Sequence, residues 1–143
     1  MITLRVDGEP APQGSKSVGR HGGVYEKSRK VKPWREAIRA AALAQGIGPV
    51  NCAAVAVNIV FMLPRPKGHY GTGRNADRLR DSAPLFPATR PDLDKLARST
   101  LDGLMGAGIY ADDGQVIALN AEKIYAGNGS PPGATILIRE YMQ

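Results

Sequence analysis

Ile2, Leu4 and Val6 alternate with Thr3, Arg5 and Asp7, the two-residue period of a strand with one buried face. Val55, Val57, Ile59 and Phe61 alternate with Ala54, Ala56, Asn58 and Val60. Because both sets are largely apolar, this second strand is expected in the middle of a sheet. Trp34, Ile38 and Ala41 fall at helical spacing, which predicts a helix over roughly 34–45, with Pro33 in its first turn and Gly46 as its stop. That spacing makes Trp34 a core anchor rather than a base-stacking residue. A second helix is predicted near 93–105, where Leu93, Leu96, Ala97, Thr100, Leu101 and Leu104 make one continuous stripe. Strands near 115–125 and 134–142 follow, separated by a Gly-Asn-Gly-Ser-Pro-Pro-Gly turn. The order β-α-β-α-β-β points to a single mixed α/β domain over residues 1–143, with a mixed sheet and two helices.

Two stretches lack periodicity. Residues 8–33 and 64–89 are rich in Gly, Pro and basic residues and read as irregular. The length of the second argues for a mobile surface segment that orders on a ligand, against a solvated loop without a role.

Composition adds limits. With 43% hydrophobic residues a buried core is expected rather than disorder. No apolar run approaches the roughly 18–20 residues of a membrane span. The start MITLRVDGEP lacks the basic-then-apolar form of a secretory signal, so the expected compartment is the cytoplasm. The lone Cys52 excludes an intramolecular disulfide and a Cys-rich zinc site.

Charge is unevenly spread. Residues 1–89 carry a net +8 and residues 90–143 a net −2, against +6 overall. A basic first part suggests a polyanionic partner, nucleic acid being the commonest. Candidate phosphate contacts are Lys16, Arg20, Lys27, Arg29, Lys30, Lys67, Arg74, Arg78 and Arg80. His21 and His69 lie in the same basic segments and read as surface histidines.

The acidic remainder is concentrated. In RPDLDKLARSTLDGLMGAGIYADDGQVI, residues 90–117, Asp92 precedes the second helix as a capping residue. Asp94, Arg98 and Asp102 lie on the face opposite the apolar stripe. Asp92 and Asp94 alone could be acids complementing the helix dipole. Asp112 and Asp113, in a tight turn before an apolar strand, shift the balance, because a strand running back beside the helix would bring that turn towards the Asp92/Asp94 end. Carboxylates within about 4 Å repel by roughly 4 kcal/mol at an effective dielectric near 20, a cost that a divalent cation removes. Oxygen donors without nearby His or Cys favour Mg²⁺, with Mn²⁺ a possible substitute, over Zn²⁺. Such a metal in a basic protein suits phosphodiester hydrolysis on DNA. Arg98 reads either as part of an i,i+4 salt-bridge ladder or as a cation for the cleaved phosphate. Lys95 reads as a phosphate contact or a solvated side chain.

This run resembles the signature of the RusA family of Holliday-junction resolvases: Arg-Pro-Asp-x-Asp-Asn-Leu, a Lys, Leu-Asp-Ala/Gly-Leu, then Asp-Asp-x-Gln-Val/Ile. The opening PAPQGSKS with VKPWREAI is similar to phage-type members. The resemblance implies a homodimeric, Mg²⁺-dependent endonuclease of recombination and repair that nicks two opposing strands of a four-way DNA junction. It implies no membrane and no small-molecule cofactor, and a bacterial or phage-infected cell as the setting. Carried over by position, the catalytic carboxylates fall on Asp92, Asp94 and Asp113, with Asp112 in support. Two positions depart: the family's Lys is Arg98 and its Asn is Lys95. A guanidinium keeps the charge but does not donate a proton near neutral pH. The rival readings are a junction-binding protein without nuclease activity and a nuclease for flaps or other branched DNA.

Overall fold

The computed structural model describes residues 1–14 and 29–142, with the backbone alone at Lys16–Val18 and Val24–Glu26. The strands are β1 (Ile2–Asp7), β2 (Lys16–Val18), β3 (Val24–Glu26), β4 (Ala54–Leu63), β5 (Val116–Tyr125) and β6 (Gly133–Tyr141). The helices are α1 (Val31–Ala44) and α2 (Leu93–Gly106). The predicted order holds, with one correction. The segment 8–33 is not irregular throughout, because β2 and β3 pair antiparallel as a small separate ribbon and α1 begins at Val31. Alternation is short and weak in three-residue strands, so composition masks them.

The main sheet runs β1-β6-β4-β5. β6 is antiparallel to both β1 and β4, whereas β5 is parallel to β4. β4 therefore takes the central place its apolar pattern implies. A parallel pair needs a crossover, and α2 supplies it. Along β4, Val55, Val57, Ile59, Phe61 and Leu63 point to the helices and are buried. Leu4, Val6, Ile136 and Ile138 continue that face on β1 and β6, and Trp34, Ile38, Leu96 and Leu104 meet it from the helices. No helix among the described residues is long and apolar enough to cross a membrane.

Both helices end alike. Past α1, Gly46 takes φ 67°, Gly46 N–H donates to the Leu43 carbonyl and Ile47 N–H to that of Ala42. Past α2, Gly108 takes φ 78°, Gly108 N–H donates to Met105 and Ile109 N–H to Leu104. These paired bonds satisfy carbonyls that a helix end would leave free, and the left-handed residue that makes them possible favours glycine.

The helices pack closely through a small residue. A Cβ placed on Gly103 would stand 2.7 Å from Ile38 Cδ1, so any side chain there would have to displace the end of Ile38. The buried face of α2 is accordingly turned from the predicted stripe: Ser99 and Gly103 are buried, while Leu93 and Leu101 are partly exposed. Ser99 Oγ donates to the Ala11 and Leu96 carbonyls, which satisfies its burial. Trp34 is the largest fully buried side chain, and its Nε1–H donates to Thr100 Oγ1 at 3.1 Å. Trp34→Ala is therefore expected to cost about 3–5 kcal/mol, a large share of a domain's usual 5–15 kcal/mol. A urea titration would show this as a much lower midpoint, and an unchanged midpoint would contradict Trp34 as the anchor.

Candidate active site

Asp92 occupies the N-cap of α2 with extended backbone, but its carboxylate makes no capping hydrogen bond. Contrary to the capping expected of it, the side chain turns outward to Lys95, 3.6 Å away. Both groups are about half exposed, and such a pair contributes little to stability. Asp94, two residues on in the first turn, is exposed and forms no ion pair among the described residues. Two carboxylates thus stand outward at the positive end of a 14-residue helix.

Lys123 fixes the chain that leads into this end. Its Nζ donates to the Thr89 and Pro91 carbonyls at 2.6 and 2.8 Å, tying the far half of β5 to the residues just before Asp92. A cleft of about 530 Å³ opens beside it, walled by Pro10, Pro12, Pro64, Pro66, Pro87 and Pro91, with Lys30, Arg90, Asp92 and Lys95 among its polar lining.

The second acidic pair lies elsewhere. Because β5 is parallel to β4 and α2 runs back between them in the chain, β5 begins at the C-terminal end of α2. Asp112 and Asp113 just precede β5, and Asp113 stands beside Asp102. Eight residues separate Asp94 from Asp102, a rise of about 12 Å. The expectation that the turn returns to the Asp92/Asp94 end is thereby corrected: parallel pairing puts it at the opposite end. Among the described residues, no three His, Cys, Asp or Glu side chains gather closely enough in one chain to hold a metal ion.

Local bonds hold the Asp112–Asp113 turn in place. Gln115 Oε1 accepts from the backbone N–H of Ala111 (2.8 Å) and Asp112 (3.2 Å), and Gln115 Nε2 donates to the Cys52 carbonyl (3.1 Å). Asp113 Oδ1 is buried without a hydrogen-bond partner among the described residues. Burial, and then the neighbouring Asp102, push the Asp113 carboxyl above the usual carboxylate range. Tyr110, whose hydroxyl donates to the Leu101 carbonyl at 2.8 Å, is pushed well above the ordinary tyrosine range by burial and by Asp113. Asp102 also pairs with Arg35 of α1 (3.3 Å), which donates in turn to Gln13 Oε1 (3.0 Å).

The i,i+4 ladder considered for Arg98 does not form. Asp102 takes Arg35 as its partner, and Arg98 is exposed with no ion pair among the described residues. Of the candidate phosphate contacts, Arg29, Lys30, Lys67, Arg74, Arg78 and Arg80 are exposed, and Lys30 pairs loosely with Glu9 at 3.3 Å. The side chains of Lys16 and Lys27, together with Arg20 and His21, lie outside the described residues. Sequence reasoning missed Lys123, Gln115, Tyr110 and Arg35. Gln115 had a signal, its place directly after Asp-Asp-Gly. Lys123 had none, since its role depends on where β5 ends.

Two comparisons bear on this arrangement. The family model of Endodeoxyribonuclease RusA matches residues 7–139, which span both acidic pairs, both helices, β4, β5 and most of β6. An uncharacterized protein of Bacillus subtilis (strain 168), YqaN, is 27% identical over 141 residues, covering 97% of this chain and 96% of its own length. With nearly its whole length matched and the Arg-Pro-Asp-x-Asp and Asp-Asp-x-Gln runs at its two acidic ends, the chain belongs to the RusA endodeoxyribonuclease family.

Proposed function

We propose that this protein is a Mg²⁺-dependent endonuclease that resolves four-way DNA junctions by paired, symmetric nicks. It acts as a homodimer in which each active site draws carboxylates from both copies. The observation that carries this reading is the separation of the two acidic pairs to opposite ends of α2, in a chain of an endodeoxyribonuclease family.

A two-fold axis crossing α2 near its middle sets one copy's N-terminal end beside the other copy's C-terminal end. Asp92 and Asp94 of one chain then meet Asp112 and Asp113 of the second, twice, as two nicks related by symmetry require. β5 flanks α2 with one hydrogen-bonding edge unpaired among the described residues and with Ile117 and Leu119 exposed, a surface that a second copy would cover.

The donor set fits a hard cation. All the donors are carboxylate oxygens, and the buried Asp113 Oδ1 lacks, among the described residues, the partner that such an atom ordinarily has. Asp92, Asp94 and Asp113 would hold the metal, with Asp112 in support. Bound there, Mg²⁺ would lower the pKa of a water and neutralise charge at the scissile phosphate. Arg98, one turn from Asp94 and exposed, would contact that phosphate, and the Lys95–Asp92 pair would open to let Lys95 do the same. Lys123 keeps Asp92 in register with Asp94. The exposed cations of 64–89 would hold the arms by phosphate contacts that weaken with salt.

The test is cleavage of a synthetic four-way junction beside linear-duplex and flap controls, with and without Mg²⁺. Paired nicks at symmetric positions, confined to the junction and to Mg²⁺, are expected. Tight binding with no product in any divalent metal would mark a binding protein. Faster cutting of the flap would make it a broader branched-DNA nuclease.

A further inference from the structure

The segment 64–89 is held as a lobe rather than lying open. Gly71 N–H donates to the Arg78 carbonyl, Arg78 N–H to Asn75 and Arg80 N–H to His69, and Tyr70 bridges Leu79. A Cβ on Gly71 would stand 2.7 Å from Asn75, so the turn closes only around a glycine. Arg65 anchors the lobe to the sheet: its guanidinium lies 4.2 Å over the Tyr125 ring, and Nη1 donates to the Pro84 carbonyl at 2.7 Å.

Directly after that anchored Pro84, Leu85 and Phe86 stand 79% and 69% exposed, and the buried Pro87 follows. Such exposure is costly for two adjacent large apolar side chains on a fixed backbone, and it marks a contact surface. Leu79 and Arg78 share the same hollow. Pro87 also walls the cleft that contains Asp92, so this apolar tip borders the way to the acidic end of α2.

We propose that Leu85 and Phe86 form a preset wedge that enters the open centre of a branched DNA and stacks on the bases unstacked there. This rests on the junction-nuclease reading above. The surroundings choose the occupant: Arg78, with Asp77, lines the hollow beside the tip, and the same segment carries exposed Lys67, Arg74 and Arg80 against Asp77 and Asp81. Protein interface cores are depleted of charge, whereas an apolar tip on a net-basic lobe suits bases flanked by phosphates. A continuous duplex offers no base face to such a tip, and a branch point does. The wedge is thus a determinant of branched over linear DNA, separate from the carboxylates that cut.

The test uses the full-length protein and a four-way junction carrying 2-aminopurine at the branch point, with Ca²⁺ in place of Mg²⁺ to hold cleavage. Wild type is expected to raise the fluorescence on binding. Leu85→Ser with Phe86→Ser should abolish that rise and weaken junction binding roughly tenfold, leaving linear-duplex binding unchanged. Phe86→Trp should retain both. Unchanged fluorescence and affinity in the double variant, with wild type still cutting junctions selectively, would overturn the wedge alone. Conversion of a dimer to a monomer by the double variant in sedimentation would overturn it in favour of a subunit contact. Wild type that shows no preference for junctions would overturn the wedge and the junction reading together.

Discussion

Asp94→Asn is expected to slow junction nicking by more than about a hundredfold while leaving junction affinity within a factor of about two or three. A substitution beside a metal site already costs about 10–100-fold, and a ligand lost outright should cost more. Affinity should hold because the cations that would grip the phosphates lie on other residues, and because the exposed Asp94 has no ion pair among the described residues. The fold should hold too. Losing an acid in the first turn of α2 forfeits a dipole interaction of about 0.3–1 kcal/mol, well inside a domain's usual stability. Asp94 is a cleaner target than Asp92, whose change would also free Lys95 from its partner 3.6 Å away. Single-turnover cleavage in Mg²⁺ and gel-shift binding in Ca²⁺ separate the two effects. Cutting at the wild-type rate would remove Asp94 from the site.

The elements were largely legible because their signals are local. Alternation along β4 reports a strand buried on its helix-facing side, and the stop at Gly46 reports a helix end whose geometry requires positive φ. The face of α2 was legible less accurately. Hydropathy favours Leu93 and Leu101, whereas the close approach of α1 at Ile38 selects Ser99 and Gly103 for burial, and a pattern of apolar residues does not register small ones. The bonds that shape 64–89 are not legible in the sequence, because they join carbonyls across a Gly71 turn and set Arg65 on Tyr125, pairings distant from any period.

The candidate site divides in the same way. Asp92, Asp94, Asp112 and Asp113 are legible in the sequence as candidate ligands of a hard cation. Their grouping does not follow, because it depends on the direction of β5. β6 takes the antiparallel place beside β4, leaving β5 to pair parallel at the other edge. That pairing is a property of the whole sheet. It sends Asp113 to Asp102 and sets the two acidic pairs at opposite ends of α2.

The proposed half-sites make a definite prediction for mixtures of inactive proteins. Asp94→Asn and Asp113→Asn are each expected to be inactive alone, since every shared site then lacks one ligand. In a dimer of one with the other, the two defects fall together in one site and the second site is wholly wild type. After co-refolding equal amounts, about half the dimers are mixed, and about a quarter of the wild-type number of sites should be restored. The readout is single-strand nicking of a four-way junction in Mg²⁺, because a mixed dimer holds one working site and makes one cut. Recovery of nicking near that quarter, absent from either variant alone, is the result the shared-site account predicts. No recovery, with mixed dimers shown to form, would place Asp94 and Asp113 of the same chain in each site and contradict it.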